Sequence, residues 1–323
     1  HASFFNHSCA PNCTFWFTGP RLSAHAIERI LPGFEVNVSY VHTLQLYLPQ
    51  NVRKQRLLRG YGFECCCQRC SHAAADPMEH LFEAVLCPIE KCNGRVASRM
   101  STTAGKCSVC SKEVNIGQEG AKAKKERERL QALISQSAHG NVSEEVWAQV
   151  DRILNHDCRE SGLHLHYLHV YDFHLAWDAL CTLGSKHPKC NEKEMTVGLL
   201  CCQRVRRCVN SCLATYHPEM LRILHLEAEW SHSLVEIVVG KDALTARSLL
   251  ERSKNCKEIL EKHLRLHQGK ATPGVTLAHI HPRLTPNYSG EFSRHISISP
   301  GTKPSPKELR IDSCHLKLGN GKN

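Results

Sequence analysis

Apolar positions change period twice along this chain. Phe15 to Phe17, Leu22 to Ile27 and Val36 to Tyr40 are short apolar runs separated by Thr18-Gly19-Pro20 and Leu31-Pro32-Gly33, which predicts a small unit of short strands. Residues 49–60 are helix formers behind Pro49, a residue suited to a first turn, and they stop at Gly60. From Ala121 the spacing turns helical, with segments near 121–136, 143–156, 163–184, 192–216, 218–239 and 242–267. Gly140, Gly162, His187-Pro188, His217-Pro218 and Gly240 break them, and Ser143 and Asp242 are expected N-caps. Short connections at this length predict stacked antiparallel helix pairs. After Gly269 a polar stretch punctuated by prolines predicts disorder, or mistranslated sequence at the edge of a gene, with no function of its own.

The fold class expected is therefore α+β. A chain of 323 residues with 41% hydrophobic content can build two or three cores. It has no run of eighteen apolar residues and no basic-then-apolar leader, so a membrane span and a signal peptide are not expected. The formal charge of +10 could serve an acidic partner such as nucleic acid. The dense run Lys122 to Arg129, however, is interrupted by Glu126 and Glu128, the pattern of a solvated helix face.

Cysteine spacing changes the picture most. Many of the 19 cysteines fall in Cys-x-Cys and Cys-x-x-Cys pairs within a long chain, which favours metal over disulfides. Cys9 in a turn, answered by Cys65, Cys67 and Cys70, makes a four-thiolate set that would hold zinc with no bound water, as a structural staple. Cys13 and Cys66 are surplus, since alternation points Cys66 away from its neighbours. Cys87, Cys92, Cys107 and Cys110 resemble the two knuckles of a zinc ribbon; the competing reading is unligated thiols in a surface insertion. Cys201, Cys202, Cys208 and Cys212 lie at helical spacing and read as small buried apolar side chains.

Asn6-His7-Ser8-Cys9-Ala10-Pro11-Asn12 resembles the cofactor-side motif of SET-domain protein lysine methyltransferases, and Cys65-x-Cys67-x-x-Cys70 resembles their post-SET segment. Tyr61-Gly62-Phe63-Glu64-Cys65, the four-cysteine insert and the helical half look like the SET and MYND domain (SMYD) family. The resemblance implies the C-terminal part of a SET domain over 1–48 and a post-SET zinc segment over 49–72. It further implies a zinc-ribbon-like insert over 80–115, a tetratricopeptide-like helical domain over 121–268 and a tail over 269–323.

The same resemblance implies methyl transfer from S-adenosylmethionine to a histone or non-histone protein lysine, in nucleus and cytoplasm. Asn6 and His7 would grip the cofactor, Tyr40 would stand beside the methyl group and Tyr61 would wall the lysine channel. Phe63 would stack on the adenine, and structural zinc would hold the whole. Tyr40 as an ordinary core aromatic, and Tyr61 with Phe63 as plain packing under the knuckle, are the bland alternatives. The chain opens at His1 inside the motif, without the Gly-x-Gly loop, the earlier strands or a MYND module, so a fragment inactive by itself is expected. Two other classes compete: a non-catalytic zinc scaffold whose helices bind a partner peptide, and, well behind it, a nucleic-acid binder.

Overall fold

The computed structural model describes residues 5–268 apart from 19–20, 73–76, 98–103, 138–140, 156–164, 214–216 and 218; the stretch expected to be disordered lies outside the described residues. At the N-terminal end, β1 (Asn6–His7) pairs in parallel with β4 (Asn37–Val38), and β2 (Cys13–Thr18) pairs with β3 (Arg21–Ala26) as a hairpin in the register Cys13↔Ala26 to Thr18↔Arg21. β4 is shorter than the apolar run Val36 to Tyr40 predicts. Side chains have taken the backbone groups that a longer ladder would use: Asn12 accepts from the Asn37 amide at 2.9 Å and donates to the Glu35 carbonyl at 2.8 Å, and the Tyr40 amide donates to His7 Nδ1 at 3.0 Å.

A 3₁₀ turn over Thr43–Tyr47 leads into α1 (Gln50–Tyr61). Gly62 ends that helix in the left-handed region, φ 75°, with its amide on the Leu58 carbonyl at 3.0 Å. α2 (Gln68–Ser71) and α3 (Pro77–Leu81) are single turns beside it. The four-cysteine insert is two antiparallel hairpins, β5 (Ala84–Leu86) with β6 (Arg95–Ala97) and β7 (Ala104–Lys106) with β8 (Glu113–Asn115), bridged at Val96 and Cys107. Val85, Val96, Val114 and Ile116 give it a small core of its own.

The helical region holds α4 (Gly117–Gln136), α5 (Glu144–Leu154), α6 (Val170–Lys186), α7 (Glu192–Cys212), α8 (Glu219–Val238) and α9 (Ala243–Gln268), each packing on its neighbours. α6 begins later than the apolar period suggests. Residues just ahead of it make a bridge and a turn against β5, with the His166 amide on the Ala84 carbonyl and the Val170 amide on the Phe82 carbonyl, both at 2.9 Å, and His169 caps the helix. Asn191 and Glu194 form a reciprocal capping box at the start of α7, and Asp242 accepts from the Leu244 and Thr245 amides. The mixed-charge run on α4 is not wholly solvated, because Arg127 turns inward to pair with the buried Asp172 at 2.7 Å.

One core joins the two ends of the chain. Cys9, Leu44, Tyr47 and Leu57 belong to the same buried cluster as Phe173, Val205, Cys208 and Trp230, and the Tyr47 ring lies 4.1 Å from that of Phe173. Cys201, Cys202 and Cys208 are fully buried in it, as their helical spacing suggests. Among the described residues no helix is long and apolar enough to cross a membrane.

Candidate active site and its metal centre

Four sulfurs gather where β1 meets the turn after α1. Cys9, Cys65, Cys67 and Cys70 have all their Sγ atoms within 4.8 Å of one another, with Cys9 to Cys65 at 3.9 Å and Cys9 to Cys70 at 3.6 Å. A tetrahedral zinc with bonds of about 2.3 Å requires sulfurs about 3.8 Å apart, so these residues fit the ion. The Cys9 amide donates to the Cys67 sulfur at 3.4 Å, and that sulfur also accepts from the neighbouring thiols, which holds the Cys67 thiol well below its usual range. Four ligands leave no open coordination position, so a metal here would staple and not react.

The insert repeats the arrangement. Cys87, Cys92, Cys107 and Cys110 also lie within 4.8 Å of one another, with Cys87–Cys110 at 3.8 Å and Cys92–Cys107 at 3.7 Å. The Gly94 amide donates to Cys92 and the Val109 amide to Cys107, both at 3.4 Å. The Val109 and Cys110 amides bring the Cys107 thiol down to about 6, while burial pushes Cys87 up to about 12. Gly94 is required here, since a Cβ would lie 2.2 Å from the Cys107 sulfur. Cys66 is exposed, and neither it nor the buried Cys13 joins a cluster.

Beside the first cluster opens a cleft of about 1190 Å³, lined by Asn6, His7, Glu35, Tyr40 and Phe63 from the N-terminal unit and reaching Ser211 and Cys212 of α7. That exceeds the roughly 300–1,000 Å³ of common ligand sites. Tyr40 is one of its lining residues. Its ring lies 5.5 Å from His7, 5.2 Å from Tyr61 and 6.2 Å, edge-on, from Phe63. Its hydroxyl donates to the Phe5 carbonyl at 2.5 Å, and Tyr61 in turn donates to the Tyr40 carbonyl at 2.6 Å. Tyr61 is 53% exposed and, among the described residues, does not line the cleft. Asn6 donates to the Glu35 carboxylate at 2.5 Å, which places beside it an acid that the motif alone did not single out.

Two more residues escaped the reading of the sequence. Arg53 on α1 donates to both carboxylate oxygens of Glu79 and approaches the Cys70 sulfur at 3.7 Å. Arg69, between two of the cysteines, donates to Glu79 at 2.5 Å and to the Cys9 carbonyl at 2.9 Å, and approaches the Cys212 sulfur of α7 at 3.7 Å. These cations compensate the negative charge that four thiolates would carry on a metal. The only sequence hint was the position of Arg69 inside Cys67-x-x-Cys70.

Residues 1–41, which carry Asn6, His7 and Tyr40, match the SET domain family model. The chain is also similar to SET and MYND domain-containing proteins. It is 34% identical over 100 residues to one from Dictyostelium discoideum, covering 30% of this chain and 25% of that protein. Over 68 residues it is 40% identical to the human histone-lysine N-methyltransferase SMYD3, and over 69 residues 38% identical to the human N-lysine methyltransferase SMYD2, each match covering 21% of this chain and 15% of the relative. The matched stretches thus span a quarter or less of these curated relatives.

Proposed function

We propose that the protein containing this chain transfers methyl groups from S-adenosylmethionine to lysine side chains of proteins, histone or non-histone, in nucleus and cytoplasm. The observation that carries the reading is the convergence of Asn6, His7, Tyr40 and Phe63 on one cleft against a four-thiol cluster.

Bound there, S-adenosylmethionine would supply an electrophilic methyl group. Asn6 with Glu35 and the backbone around His7 would hold the donor, and the Phe63 ring would cover its adenine. Because the Tyr40 hydroxyl spends its proton on the Phe5 carbonyl, its lone pairs remain to accept an N–H of the incoming amine. The amine must arrive uncharged; enclosure by Tyr40 and Phe63, which line the cleft, disfavours its ammonium form and excludes water. Most of the rate would come from this positioning. Zinc in the cluster would fix the segment that carries Phe63, and the end of α7 supports a substrate channel partly shaped by the helical region.

Tyr40→Phe in the full-length protein tests this. Labelled methyl transfer to protein lysine should fall roughly 100-fold, the scale for losing one oriented polar group, while calorimetric binding of S-adenosylmethionine persists. Undiminished transfer by that variant would remove Tyr40 from the chemistry.

A further inference from the structure

His7 lies between the metal cluster and the residue that would face the methyl group, and its ring touches both. Nδ1 accepts the Tyr40 amide at 3.0 Å, so the ring proton must sit on Nε2, and Nε2 lies 3.3 Å from the Cys9 sulfur. The backbone holds the imidazole in this place: His7 pairs with Val38 in the β1–β4 ladder, and the Ser8 amide donates to the Val38 carbonyl at 2.9 Å. The ring is only partly exposed, and it lies tilted at 5.5 Å from the Tyr40 ring and 6.1 Å from that of Phe63.

We propose that His7 is a positioning residue that couples the metal cluster to Tyr40, through Nε2–H on the Cys9 thiolate and Nδ1 under the Tyr40 amide. A hydrogen bond to one thiolate lowers the charge it pushes onto the metal and fixes the direction of that ligand. Tyr40 lies two residues past the end of β4, where its amide donates to the imidazole, so the ring helps to set where the tyrosine backbone sits. Loading of the cluster is thereby felt at the cleft through a single ring. This role is separate from any grip of the His7 backbone on a cofactor, and it rests on the reading of the cluster as a metal site.

Two near-isosteres separate the arms. In Asn the side-chain oxygen can stand in for Nδ1 while nothing reaches Cys9; in Gln the amide can stand in for Nε2–H while Nδ1 is lost. The probe is cobalt(II), loaded into the whole chain in place of zinc, with tyrosine amides labelled by ¹⁵N so that seven signals report. His7→Asn should shift the sulfur-to-cobalt charge-transfer band to lower energy, weaken metal affinity roughly 10- to 100-fold, and leave the Tyr40 amide signal in place in the zinc-loaded protein. His7→Gln should keep the band and move the Tyr40 signal upfield. His7→Ala should do both. The proposal is overturned if His7→Ala moves neither signal, if the Asn and Gln variants move both together, or if the wild-type chain takes up no metal at Cys9. Methyl transfer enters neither readout, so a full-length protein that failed to transfer methyl groups would count against the proposed function and leave this coupling standing.

Discussion

Arg53 and Glu79 meet in a two-point ion pair, Nη1 and Nη2 lying 3.0 and 3.1 Å from the two carboxylate oxygens, with the arginine 1% and the glutamate 6% exposed. Arg69 joins the same carboxylate, so Glu79 is the shared counter-charge for two cations beside the cluster. Glu79→Ala should cost about 3–5 kcal/mol, the scale for stranding a buried partner, read as a lower denaturant midpoint with the slope unchanged. A loss below about 1 kcal/mol would show that the cations find other partners.

Gly198 on α7 faces Trp230 of α8. A Cβ at that position would lie 2.6 to 3.0 Å from three carbons of a fully buried indole. Gly198→Ala should therefore destabilise by about 1–3 kcal/mol, although alanine is the better helix former. A rise in melting temperature would mean that α7 and α8 can part without loss.

Two groups on α6 predict opposite responses to pH. Burial raises the Asp178 carboxyl from 3.8 to about 6, so its contribution to stability is full below 3.8 and is lost as pH rises through 6. Asp178→Asn keeps an acceptor for Gln131 and should stabilise the protein by about 3 kcal/mol at pH 8 while giving no gain at pH 3.5. Burial lowers His174 from 6.5 to about 4, and its contribution is full above 6.5 and lost as pH falls through 4. His174→Gln should flatten the loss of stability between pH 6.5 and 4. Identical pH profiles for wild type and variants would rule out these assignments.

Metal analysis separates the two clusters. The native chain should carry two zinc ions, Cys9→Ser should lose the first and Cys92→Ser the second, each retaining the other. A single ion in the wild type that survives Cys92→Ser would leave the insert as a set of free thiols.

Much of this was legible in the sequence because thiol pairs and helical stripes have narrow meanings. Cys-x-Cys-x-x-Cys with a distant Cys9 has few uses besides a metal, and both cysteine sets come together as their spacing predicts. What was not legible depends on side chains that replace backbone partners. Asn12 cutting β4 short, and the imidazole of His7 under Tyr40, cannot be read from an apolar period. Arg53 and Arg127 were equally hidden, since arginines on helices default to water and only the folded chain shows a carboxylate waiting inside.

Cys9 is held at three atoms: its amide by Cys67, its carbonyl by Arg69 and its sulfur among three other thiols. A protease cutting the polypeptide between the first strand and the knuckle would therefore leave two pieces that still migrate together under native conditions. Alkylating the sulfurs would let them drift apart, because it is the gathered thiols that make the covalent continuity of some fifty residues dispensable.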